Sequence, residues 1–136
     1  MRLSILPAAA LLGLAACTGG GGTSTTRNDL SICSDPASPP AEAMRFCQRA
    51  LEDPRLDARQ RALVQMNIGI AAFALGRNRE AIAAHTQALA LAPGLTGALT
   101  GRAEVYEAQG DTRAALADYA AAITATPAAP EPWFAR

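Results

Sequence analysis

The side chains best suited to nucleophilic, redox or metal chemistry are Cys17, Cys33, Cys47 and the one histidine, His85. A histidine base needs a nucleophile or an orienting partner beside it. The sequence offers neither to His85 at a convincing spacing, so its plainer reading is a packed or surface imidazole. Structural metal sites gather several Cys and His ligands at short spacings, and no such cluster exists, so neither metal nor cofactor is expected. The glycine run Gly19–Gly22 lacks the lysine and the following helix of a phosphate-binding loop. Cys33 and Cys47 form either a structural bridge or a redox-active pair. Redox pairs are usually spaced as Cys-x-x-Cys, so the wide spacing favours the bridge. The expected class is therefore not an enzyme.

Charge narrows the partners. Twelve basic residues balance twelve acidic ones, and every basic residue is arginine. That leaves no cationic field for nucleic acid. With 136 residues the chain has room for one domain. Alanine makes up about a quarter of the sequence and aromatics only 4%. This mix suits closely packed helices and disfavours sheets.

The N-terminus reads as an address. Met1-Arg2 precedes an apolar stretch, Leu3 to Leu14, too short to span a bilayer. It ends in Leu14-Ala15-Ala16-Cys17, which resembles the bacterial lipobox. The resemblance implies cleavage of residues 1–16 and lipidation of Cys17. A plain secretory signal is the alternative. Stable anchoring needs more than one acyl chain, which lipoprotein modification supplies. Thr18, where inner-membrane lipoproteins carry Asp, implies the outer membrane, with the protein facing the periplasm. Residues 17–32 are then lipidated cysteine and a Gly/Thr-rich tether without fixed structure, reaching roughly 20 Å. An exported chain meets an oxidising compartment. There a Cys33–Cys47 disulfide is expected, stabilising by roughly 3 kcal/mol through loop closure. Residues 33–57 become a turn-rich loop pinned to one capping helix around Glu42–Leu51.

The remainder, residues 58–136, repeats with a period of 34. Gly76 and Gly110, Ala81 and Ala115, Ala88 and Ala122, Pro93 and Pro127 are in phase. The spacing predicts helices from Ala58 to Leu75, from Asn78 to Leu91, from Thr96 to Gln109 and from Asp111 to Ala125. Glycines stop the first helix of each pair; Asn78 and Asp111 are the predicted caps. The quoted residues, with Ile68-Gly69 and Ala81-x3-His85, resemble the tetratricopeptide repeat pattern. Gln65 and Arg102-Ala103 depart from it. The resemblance implies an all-α solenoid of antiparallel helix pairs with two complete units. Pro132-Trp133-Phe134 begins a third as a stub. Repeat arrays need capped ends, so either the stub folds back over the last helix or that edge packs on another chain, a second copy included.

The family resemblance further implies a concave face built by the first helix of each pair, binding extended or helical peptides. Leu63, Met66, Asn67, Ile70 and Phe73 would contribute from one unit, and Glu104 and Glu107 from the next. The apolar part would bind by area, and the carboxylates would reject acidic ligands. Without lysine, a clamp for a C-terminal carboxylate is rejected. The same apolar stripe serves equally as core. The expected function is an envelope-anchored interaction module or assembly adaptor with a protein partner. The alternatives are an accessory subunit of an envelope enzyme complex and a redox-responsive protein.

Overall fold

Between residues 58 and 125 the alanine-rich segments fold close to expectation. The computed structural model describes residues 21–126. The signal, Cys17 and the Pro132–Phe134 stub lie outside them. Among the described residues there are six helices and no strands. They are α1 (Gly21–Ser34), α2 (Pro40–Leu51), α3 (Ala58–Ala74), α4 (Asn78–Leu91), α5 (Thr96–Ala108) and α6 (Thr112–Ala125). None of them is long and apolar enough to cross a membrane.

Local chemistry sets the boundaries. Asp57 accepts from the backbone N–H of Gln60, whose side chain accepts from the backbone N–H of Asp57. This reciprocal cap starts α3. Asp111 accepts from the N–H of Ala114 and starts α6 as predicted. Asn78 does not cap: α4 begins at Asn78 itself, and the preceding Arg77 makes no side-chain capping bond. Gly76 and Gly110 end the helical turns after α3 and α5 with φ of 74° and 79°. That left-handed conformation is costly for any residue with a Cβ.

The expected unstructured tether is a correction. Residues 21–34 form α1, and the segment leading to Cys33 is helix rather than loop. Glycine and threonine give this stretch little intrinsic helicity, so tertiary contacts must hold it. Leu30 and Cys33 enter a core with Cys47, Leu56, Val64 and Ile68. Asp29, buried, pairs with Arg49 of α2 at 3.2 Å. Arg49 also lies over the Phe46 ring, 5.2 Å from its centre. The α1–α2 unit is thus a third helix pair, not a lone cap.

Helices pair antiparallel as α1–α2, α3–α4 and α5–α6, and the pairs stack. One motif recurs in all three second helices: Ala43-x3-Cys47-x2-Ala50, Ala81-x3-His85-x2-Ala88 and Ala115-x3-Tyr119-x2-Ala122. All six alanines are buried. Small side chains here let the helix axes approach closely, and interior packing leaves no slack for larger ones. The stack is curved. α1 touches α3 and α3 touches α5, whereas α2, α4 and α6 do not touch one another. The first helices therefore form the inner row and the second helices splay along the outer row.

Candidate functional site

The inner row carries an open cleft of about 270 Å³ where α1 and α2 meet α3. Pro36 and Pro40 form one wall and Asn67, Ile70, Ala71 and Ala74 the other. Prolines stiffen the connection between α1 and α2 by fixing φ. Asp35 adds a local turn by accepting from the N–H of Ala37 at 2.9 Å. Cys33 and Cys47 are joined by a disulfide, with Cα atoms 4.8 Å apart, beneath the cleft. Asn67 donates its side-chain N–H toward Cys33 Sγ at 3.9 Å. Ile70 is 52% exposed, the one large apolar side chain of α3 that stands exposed. Its β-branched side chain stands at the edge of the cleft's apolar walls.

The structure separates the other nominated residues. Met66 packs at the α3–α5 crossing, where a Cβ on Gly97 would lie 2.6 Å from its Sδ. Phe73 packs on the core formed by Met44, Ala71, Ala72, Ala81 and Val105. Leu63 is half-buried. Glu104 and Glu107 are exposed on α5, and Glu107 accepts from the Tyr119 hydroxyl at 3.0 Å. Thus Asn67 and Ile70 share the cleft, and the two glutamates lie beyond its lining. The proline wall was missed. Its signal, Pro36 and Pro40 flanking a short connection, was visible, but the neighbouring helix α1 was not.

His85 is 1% exposed. Its ring fills the space between two glycines: a Cβ on Gly69 or on Gly101 would come within 2.6 Å of it. Burial, followed by the charge of Arg102, lowers its pKa to about 4, against an opposing pull from Asp118. Its Nδ1 has no hydrogen-bond partner. A neutral, enclosed imidazole without a nucleophile is a packing element. The disulfide is likewise enclosed, with Cys33 4% and Cys47 0% exposed. Thiol exchange needs access for an attacking thiolate, so this geometry suits a structural bridge.

Residues 96–128 match the family model described as tetratricopeptide repeat. Three similar solved structures share the fold. One is the second such repeat domain of Spaghetti (RPAP3) bound to the HSP90 peptide SRMEEVD, at 17% identity and TM-score 0.62, covering 76% of this chain and 91% of that one. Another is MamA from the structure described as MSR-1 C2, at 22% identity and TM-score 0.57, covering 76% of this chain and 54% of that one. A third is a point mutant of MamA, at 22% identity and TM-score 0.64, covering 81% of this chain and 76% of that one. No curated protein matches the chain by sequence. The fold over the described residues is the tetratricopeptide-repeat fold, which suggests a protein–protein interaction module.

Proposed function

We propose that this tetratricopeptide-repeat chain is a lipid-anchored adaptor of the bacterial envelope, binding a protein segment along its inner row. The observation that carries the binding reading is Ile70, exposed at the mouth of a proline-walled cleft on the inner row of helices. Burying that side chain against a partner would contribute on the order of 1–2 kcal/mol. The ligand class follows from charge. Glu104 and Glu107 stand exposed on α5, and the chain has no lysine. Such a face suits an apolar segment that is neutral or basic. It does not suit an acidic tail like the peptide bound by the Spaghetti domain. The Leu14-Ala15-Ala16-Cys17 sequence supports the anchor.

A photoreactive residue placed at Ile70, in the native envelope, tests the binding face. Discrete adducts from position 70 and none from Leu116 on α6 support it. Adducts from Leu116 alone overturn it. Cys17→Ser should move the protein from the membrane to the soluble fraction, and unchanged fractionation contradicts the anchor.

A further inference from the structure

The two walls of the proline-lined cleft are held by different means. The wall on α3, with Asn67 and Ile70, is backed by α4 and α5. The other wall is the end of α1, the connection after it and the start of α2, with Cys33, Pro36 and Pro40. α1 has little of its own to keep it there. It is 14 residues long and has no alanine, and helices this short are marginal in water even when rich in alanine. Only Arg27 and Leu30 are strong helix formers. Among the described helices it packs on α2 and α3 alone. Arg49, the partner of Asp29, has half its side chain in solvent, and pairs so exposed contribute little. Thr26 adds a hydrogen bond to Asp53. The Cys33–Cys47 bond is the one covalent cross-link among the described residues, and it lies in the last turn of α1, at the edge of the cleft. Asn67 on the opposite wall sits against the same bridge, 3.9 Å from Cys33 Sγ.

We propose that this disulfide is an oxidation-dependent latch on the cleft. The proline wall docks only once Cys33 and Cys47 are joined, so the binding face is absent from the reduced chain. The inference deepens the binding reading above and rests on it. Closure is thiol–disulfide exchange. One cysteine thiolate attacks a disulfide carried by an external oxidant and expels a thiolate. The second attacks the protein sulfur of that mixed disulfide, forms the Cys33–Cys47 bond and expels the other thiolate. Two electrons and two protons pass from the cysteines to the oxidant, which leaves as two thiols. Once α1 has docked, Cys33 and Cys47 are 4% and 0% exposed, out of reach of an attacking thiolate, so the latch closes in one direction. A chain in a reducing compartment then has no cleft to offer a partner.

Hydrogen exchange on the full chain tests the latch, with oxidised glutathione as the oxidant. The bridged chain is compared with the chain folded and kept under a phosphine reductant, and with the double variant Cys33→Ala/Cys47→Ala. Amides of residues 25–34 should lose at least about tenfold in protection in both bridge-less forms, while α4, α5 and α6 keep theirs. Equal protection of residues 25–34 with and without the bridge would overturn the proposal. So would a loss that runs through α4 to α6, because the bridge would then hold the whole fold and not the cleft. A photoreactive residue at Ile70 links the latch to binding. Adducts from the bridged chain that vanish in the double variant support the proposal, and adducts that persist there overturn it. A bridged chain with protected α1 and no adducts from position 70 contradicts the binding reading, while oxidation-dependent docking of the wall stands.

Discussion

Arg102 of α5 holds Asp118 of α6 through two hydrogen bonds of 2.7 Å, one from Nε to Oδ2 and one from Nη2 to Oδ1. Its third nitrogen, Nη1, donates to Thr86 Oγ1 of α4 at 3.1 Å. One repeat earlier the same two positions are Ile68 and Ala84, both buried in one apolar cluster. An ion pair in the last described unit thus stands where an apolar contact stands in the preceding one. The pair is largely enclosed, with side chains 20% and 10% exposed.

Removing one partner of such a pair leaves the other charge uncompensated. Asp118→Ala should cost about 3 kcal/mol, the low end of what breaking a buried pair costs, since Arg102 keeps some solvent. The double variant Arg102→Ile with Asp118→Ala restores the residues of the preceding repeat. It should recover most of that loss. Urea midpoints of the three proteins check this, and equal losses in single and double variants would contradict it.

His85 makes stability depend on pH. Its folded pKa lies near 4, below the unfolded value of about 6.5. Between those values the unfolded chain binds more protons, so stability rises with pH across that window and is flat above it. The full effect is on the order of 3 kcal/mol. Chemical denaturation between pH 4 and 7 should show this slope, and His85→Phe should reduce it relative to wild type. Parallel pH profiles for the two proteins would contradict the assignment.

Gly101→Ala tests the close approach around that ring. Alanine would improve helix propensity by about 1 kcal/mol. Its Cβ would nevertheless meet the imidazole at 2.6 Å, and Gly69 on the far side leaves the ring no room to retreat. A net loss of about 1–2 kcal/mol is expected from overpacking. A melting temperature at or above that of the wild type would show that the ring can move aside.

The sequence makes α3 to α6 legible because small residues and glycine stops agree in phase and Asp111 marks the start of α6. Asp57 and Gln60 were legible too, at capping-box spacing, as were Ala43, Cys47 and Ala50, which repeat the motif of α4 and α6. By contrast, α1 was hidden. Its composition is that of a linker, and its helix depends on Leu30, on the Asp29–Arg49 pair and on Cys33, all of which act through a partner helix. Arg102 was hidden for a similar reason. Read alone it breaks the repeat pattern; read with Asp118 it forms a matched exchange for Ile68 and Ala84. In the inner row, Met66 and Phe73 share the periodicity of Ile70. Only the positions of α5 and α2 decide which of the three is covered.

The central claim is that buried small residues let the helix pairs nest and so build the inner row. Ala81 and Ala83 lie two residues apart on α4. Ala81 is fully buried with Ala72 and Val105, while Ala83 is exposed. Leucine at each position has the same helix propensity and differs only in where it points. The most direct test is a pair of thermal melts of the two variants. Ala81→Leu should lose about 1–3 kcal/mol, lowering the melting temperature by roughly 5 °C or more, and Ala83→Leu should leave it unchanged. Equal melting temperatures for the two variants would contradict the nesting of α4 against α3 and α5.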